Sequence, residues 1–183
     1  VNVVLGISSS STKEVRFFEL HVDGVMQTRF RPPQTESSTV KLNTRKFFDG
    51  YHEVTIVGVA DSRNESQTRK TYGVLFNNTG YKIETAINES TLNTNQEEEK
   101  NNISTVLTTS EVIDLSATST GKRQIAANET AIFYAHKKEI GRSTMSSNVQ
   151  VDTSSLGLGP IPIHCEVVDS GGNVIVAAPP FWI

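Results

Sequence analysis

Leu42-Asn43-Thr44-Arg45-Lys46-Phe47-Phe48-Asp49-Gly50 and Val151-Asp152-Thr153-Ser154-Ser155-Leu156-Gly157-Leu158-Gly159 decide how this chain is read, because the second stretch repeats the first at an offset of 109. In both, an apolar residue, an Asn or Asp and a Thr are followed by five residues, a glycine and a strand-like run that ends near Asn64 or Asn173. Self-similarity at such a period signals tandem modules. Upstream, Phe17-Phe18-Glu19-Leu20-His21 resembles Ile132-Phe133-Tyr134-Ala135-His136 at an offset of 115, so the first copy carries about six more residues between these segments. Such an insertion belongs in a loop.

Each copy reads as short strands separated by turn chemistry, the pattern of an antiparallel sandwich. In the first copy the strands are expected at Val3 to Ile7, Glu14 to His21, Val25 to Arg29, Thr39 to Leu42, His52 to Ala60 and Lys70 to Phe76. Asp23-Gly24 is a two-residue hairpin signal, since Asp and Gly tolerate the positive φ that a type I′ turn needs. Pro32-Pro33 offers no amide proton to a ladder and marks a break. Asn77-Asn78-Thr79-Gly80 is turn-prone and reads as the linker. In the second copy strands are expected at Tyr81 to Ile87, Ser104 to Leu107, Val112 to Ala117, Thr130 to His136, Val149 to Val151, Ile161 to Val168 and Val174 to Ala178. Ile161, Ile163, Cys165 and Val167 share one face by the two-residue period, which makes Cys165 a small core residue. The aligned face of the first copy carries His52, Val54, Ile56 and Gly58.

Composition agrees with strands and polar loops. Ser and Thr make up about a fifth of the 183 residues, and 36% are hydrophobic. A formal charge of -3 and a pI near 5.8 supply no basic face to displace counterions from phosphates, so a nucleic-acid partner is not expected. No apolar run approaches the roughly 20 residues that cross a bilayer. Val1-Asn2-Val3-Val4-Leu5 reads like the middle of a strand, and the chain is expected to be a piece of something longer. Cys165 is the only cysteine, so no internal disulfide and no thiolate zinc site can form. Residues 88 to 102, with Gln96-Glu97-Glu98-Glu99-Lys100, form the most polar segment and are expected to be a solvated loop. Asn93 to Lys100 is the best helical candidate, but it has no apolar stripe.

The stretch Val22-Asp23-Gly24, then Leu42-Asn43-Thr44, then Phe48-Asp49-Gly50-Tyr51-His52-Glu53-Val54, with Ala60-Asp61-Ser62 closing the strand, resembles the bacterial immunoglobulin-like (fibronectin III-like) modules of large exported or cell-surface proteins. The resemblance covers most of residues 1 to 78. It reaches the second copy through Val151-Asp152-Thr153, Gly157-Leu158-Gly159-Pro160 and Ala178-Pro179-Pro180. That copy departs from the pattern where Pro160 and Ile161 replace the Tyr-His pair and where Lys137-Lys138-Glu139 stands in for the Asp-Gly turn. The resemblance implies an all-β chain of two tandem immunoglobulin-like antiparallel β-sandwich domains, at 1–78 and 79–183. It also implies a secreted or cell-surface location and a non-catalytic role as a structural, spacer or adhesion module. The partners implied are other domains of the parent chain, and a protein or a polysaccharide.

No chemistry in the sequence competes with that reading. His21, His52, His136 and His164 are scattered, and no zincin, nucleophile-elbow, phosphate-loop or dinucleotide signature occurs. No catalytic residue, cofactor or metal is therefore expected, and the binding residues stay unknown. A weak calcium site at Asp61/Asn64 or Asp169/Asn173 is the metal reading left open, although each loop offers few of the six to eight oxygens that calcium takes. The alternative function is a carbohydrate-binding accessory module of a polysaccharide-degrading enzyme. It would need a row of exposed aromatic residues on one face, with Phe47, Tyr51 and Trp182 as candidates. Asn-x-Ser/Thr triplets begin at Asn64, Asn77, Asn88, Asn102 and Asn128, as expected of exposed loops.

Overall fold

The two-residue alternation of Val15–Val22 separates its side chains as a strand must. Phe18, Leu20 and Val22 are buried, whereas Phe17, Glu19 and His21 on the other face are half-buried. The computed structural model describes residues 2–7, 15–31, 38–61, 66–87, 112–144 and 147–183, and these are all-β apart from two 3-10 turns. The expected strand Ser104 to Leu107, the helical candidate Asn93 to Lys100, the polar loop 88–102, and Pro32-Pro33 lie outside the described residues or almost entirely so. The chain divides into two compact units, Val1–Phe47 with Tyr51–Asn78, and Phe48–Gly50 with Thr79–Ile183.

The first unit holds β1 (Asn2–Ile7), β2 (Val15–Val22), β3 (Val25–Phe30), β4 (Ser38–Asn43), most of β5 (Asp49–Ala60) and β6 (Gln67–Phe76). β3, β2, β5 and β6 lie in that order in one sheet, and β1 pairs antiparallel with β4 in a second. Leu20, Val22, Leu42, Val54 and Phe76 form the buried cluster, and so draw on both sheets. Each such side chain contributes roughly 1.5–3 kcal/mol by leaving water.

The second unit holds β7 (Ile83–Ile87), β8 (Val112–Ser119), β9 (Thr130–Ala135), β10 (Lys138–Thr144), β11 (Val149–Asp152), β12 (Pro162–Val168), β13 (Val174–Ala177) and β14 (Phe181–Trp182). Its larger sheet runs β10-β9-β12-β13, with β14 also beside β12, and its smaller sheet runs β11-β8-β7. Pairing is antiparallel, except that Asp49 and Gly50 lie parallel to Val176 and Ala177. Among the described residues its buried cluster is the larger of the two. Ile113, Leu115, Val149 and Val151 of one sheet meet Phe133, Ile163, Cys165 and Val176 of the other. Each unit is thus a sandwich of a four-stranded sheet against a smaller one, the immunoglobulin-like arrangement.

Residues of the sequence repeat occupy like positions in the two units. Asn43 and Asp152 cap matching 3-10 turns, Thr44–Lys46 and Thr153–Ser155, through side chains that accept from Arg45 N and Ser154 N. Gly50 and Gly159 share a left-handed φ of 101° and 94°. Val3 pairs with Leu42 and Ile113 with Val151, so β1 is the counterpart of β8. The offset of 115 for the next strand needs correction. Leu20 faces Ile56 and Phe133 faces Cys165, so 56 to 165 is 109 but 20 to 133 is 113. A slip of two residues keeps every side chain on its own face, and the alternation that sets register is blind to it.

The corrected offset aligns the hairpins. His136-Lys137 is the counterpart of Asp23-Gly24, and all four residues have positive φ, of 47°, 68°, 51° and 78°. Lys137-Lys138-Glu139 is therefore not the turn. Lys138 and Glu139 begin β10, a strand the sequence reading did not place. Its ladder shifts between Glu139 and Gly141, and that of β3 shifts at the equivalent place, leaving Ile140 and Gln27 as the extra residues. His21 corresponds to Tyr134 and not to His136.

Candidate functional site

Buried polar groups are the first place to look for chemistry, because each needs partners to be buried at all. In the first unit His52 is fully buried, with Nδ1 2.7 Å from Asp23 Oδ2. Asp23 Oδ1 accepts from Glu53 N at 2.9 Å, and Asp23 N donates to Glu53 O at 2.8 Å. The imidazole stacks on Phe76 at 4.4 Å and meets Phe47 edge-on at 5.7 Å. Asp23-Gly24 and His52 thus form one device that pins the β2–β3 hairpin to β5. Asn78 closes this unit, donating to Thr44 O at 3.0 Å and Phe47 O at 3.2 Å.

In the second unit Asp49 Oδ2 accepts from Thr79 N at 2.9 Å, Thr79 Oγ1 at 2.5 Å and Tyr81 N at 3.2 Å. Tyr81 is buried and its hydroxyl donates to Glu129 Oε2 at 3.0 Å. Glu129, itself buried, also accepts from Ala126 N at 2.9 Å and from Arg123, whose guanidinium lies 4.8 Å from the centre of the Tyr81 ring. Burial, followed by the Glu129 carboxylate, pushes the Tyr81 hydroxyl far above its ordinary pKa. These groups serve turns and strand ends, and no nucleophile and base converge in them.

The remaining histidines are dispersed. His21 Nε2 lies 3.1 Å from Glu19 Oε2, and Arg29 donates to Glu19 Oε1 at 2.6 Å while lying 4.2 Å over the Phe17 ring. Arg29, then His21, holds the Glu19 carboxyl below its ordinary range. His136 sits exposed in its turn, and His164 stacks on Tyr134 at 5.0 Å and 15°. Cys165 is fully buried, and desolvation pushes its thiol up to about 12. A thiol so placed is a core residue, as its strand position indicates.

Of the two loops considered for calcium, Asp169–Asn173 is a hydrogen-bonded turn. Asp169 Oδ1 accepts from Gly171 N at 2.8 Å and Asn173 N at 2.9 Å, and Asn173 Nδ2 lies 3.1 Å from Oδ2. A cation would have to displace these donors. Asn64 lies outside the described residues, so the Asp61/Asn64 pair is described at Asp61 alone. Among the described residues no group of three or more His, Cys, Asp or Glu is placed to hold a metal ion. No helix among them is long and apolar enough to cross a membrane. Asn77 and Asn128 are exposed.

The three aromatic candidates separate. Phe47 packs at the rim of the first core, 5.6 Å from Phe76. Tyr51 covers Gly73 of β6, where a Cβ would come within 2.6 Å of its ring. Trp182 is 39% exposed and is paired with Pro162 across β14 and β12. By the two-residue period Pro162, His164 and Glu166 share the outer face of β12, and His164 faces Tyr134 of β9. Trp182, Pro162, His164 and Tyr134 therefore run obliquely across three strands, with Glu166 and the Glu139–Arg142 ion pair of β10 beside them. Sequence alone leaves His164 and Tyr134 apart, because their meeting depends on the pairing of β9 with β12, for which 30 residues of separation leave no local signal.

No family model matches the chain, and no curated protein matches it. Among solved structures it is similar over 100% of its length to the fibronectin(III)-like modules of Clostridium thermocellum CbhA, at 13% identity and a TM-score of 0.32, covering 82% of that chain. It is similar in the same way to the central fibronectin-III array of RIM-binding protein, at 9% identity and a TM-score of 0.29, covering 62% of that chain. At these scores the strand order and shared cores described above, not the superpositions, define the fold.

Proposed function

We propose that the chain is a non-catalytic structural module, two tandem immunoglobulin-like domains at 1–78 and 79–183 that serve as spacer or adhesive elements of a larger secreted or cell-surface protein. One observation carries this reading: what the two units share is scaffold. The capped 3-10 turn, the left-handed glycine, the two-residue hairpin and the bulge all recur. The histidines do not recur, since His21 corresponds to Tyr134, His52 to Ile161 and His164 to Thr55. A duplicated frame with unduplicated chemistry fits a mechanical role, with function left to particular surfaces. The resemblance at Asp49-Gly50-Tyr51-His52 supports the secreted or surface location.

Single-molecule stretching of the full chain between terminal handles tests the spacer role. Two separate unfolding events, the longer release from the larger second unit, are expected. A single event releasing the whole chain would count against two load-bearing modules, and turnover in a hydrolase substrate panel would overturn the non-catalytic reading.

A further inference from the structure

The oblique stripe on the outer face of the second unit goes beyond a spacer and does not depend on that reading. We propose that Trp182, Pro162, His164 and Tyr134, flanked by Glu166 and Arg142, form a surface that binds a neutral polysaccharide chain.

Area sets the class of occupant. Trp182 is 39% exposed, which leaves on the order of 100 Å² of indole open. A stable protein partner covers about 800 Å² per side around an apolar centre. One indole beside half-buried rings provides no such centre. A narrow ligand that contacts the sheet along a line requires far less.

Ring geometry decides between narrow ligands. A proline-rich peptide is gripped in slots between aromatic rings that stand apart. Here the neighbouring rings lie against each other, Tyr134 on His164 at 5.0 Å and 15°, so that slot is closed. The stripe instead offers the half-exposed Trp182 side chain, ring edges and polar tips on one face of the sheet. A sugar is complementary to such a mixture, because it has an apolar C–H face to lay on the indole and hydroxyls to exchange hydrogen bonds around it. The Tyr134 hydroxyl, the His164 ring, the Glu166 carboxylate and the Arg142 guanidinium supply donors and acceptors on the same face.

Charge selects the neutral class. The Arg142 guanidinium is paired with Glu139 at 2.7 Å, so no surplus positive charge attracts a polyuronate or a sulfated chain. Strand spacing gives the stripe its linear form, since adjacent strands lie about 4.8 Å apart and successive positions of the stripe fall on β14, β12 and β9.

The chain has a single tryptophan, so its emission reports this site directly. The experiment titrates the full chain with a soluble neutral β-glucan, a neutral mannan, a polyuronate and a polyproline peptide. Emission is followed alongside retardation in native gels cast with each polysaccharide. Trp182→Ala and, as a control at an exposed loop residue outside the stripe, Leu158→Ala are run in the same gels, with circular dichroism to confirm folding. Saturable change in emission with a neutral polysaccharide is expected, together with retardation that Trp182→Ala weakens at least tenfold and Leu158→Ala leaves intact. Absence of both signals with the neutral chains overturns the proposal. So does retardation indifferent to Trp182, or a response confined to the polyuronate or the peptide. A spacer that fails to bind sugar would still unfold in two events, which keeps the two readings separable.

Discussion

Replacing Asp23 by alanine should remove a large share of the stability of the first unit. The carboxylate does three things at once, and their loss can be sized separately. Oδ2 is the partner of His52 Nδ1, which is fully buried, so its removal strands a buried donor at a cost of about 1–3 kcal/mol. Oδ1 accepts from Glu53 N, a bond worth about 0.5–1.5 kcal/mol. Asp23 also sits at φ 51°, where a side chain without a local polar group adds about 1 kcal/mol. The sum is about 3–5 kcal/mol, against about 4–11 kcal/mol expected for a unit of this size. Asp23→Asn keeps an acceptor and tolerates the left-handed conformation, and Asp23→Gly removes only the φ penalty. The expected order of damage is therefore Ala, then Gly, then Asn. Urea denaturation followed by far-ultraviolet circular dichroism reads both units and Trp182 fluorescence the second alone, so the dichroism transition should gain an early phase while the Trp182 midpoint stays in place. A loss under about 1 kcal/mol for Asp23→Ala, or equal damage from Asp23→Asn, would refute the assignment of Asp23 as the clamp on His52.

Three further outcomes follow from the same physics. Glu129→Ala strands the Tyr81 hydroxyl in the second core and should cost about 2–4 kcal/mol, with Glu129→Gln milder; thermal unfolding reported by Trp182 reads both. Cys165 should not react with a thiol reagent at pH 8 in the folded chain, and its labelling rate should rise with urea in step with the Trp182 transition. Stability should fall at both ends of the pH scale. Glu19, Glu139, Asp152 and Asp169 are held below their ordinary range, by Arg29, Arg142, Ser154 and Asn173 respectively. Their contribution is present above the unfolded values near 4 and is lost as pH falls through the folded ones. Tyr81 and Cys165 are raised, so their contribution is present below the unfolded values, about 10 and 8.5, and is lost as pH climbs. Melting temperatures from about pH 3 to pH 11 should trace that dome.

How much of this was legible in the sequence depended on which physical signal each feature leaves. The face of β12 was readable because Ile161, Ile163, Cys165 and Val167 alternate without a break, and all four are buried. Asp23-Gly24 announced its hairpin because few residues tolerate its φ values. His136-Lys137 adopts the same turn without that chemistry, so both the turn and β10 after it escaped notice. Position in the sheet overrode local preference there. β14 is two residues long, too short for any period, and is fixed by its pairing with β12, Trp182 opposite Pro162 and Phe181 opposite Ile163. Ile56 aligned with Cys165 as expected but is only half-buried, packed against the first core. The partners of His52 and Tyr81 lie 29 and 48 residues away in sequence and leave no local trace.

Native-state hydrogen exchange of the full chain in rising urea tests the central claim most directly, that one sandwich has been built twice as two separate cores. Amides of β2 and β5 around Leu20 and Val54 should converge on one opening free energy. Those of β9 and β12 around Phe133 and Cys165 should converge on another, separate one. Convergence of all slow amides on a single isotherm would contradict the account.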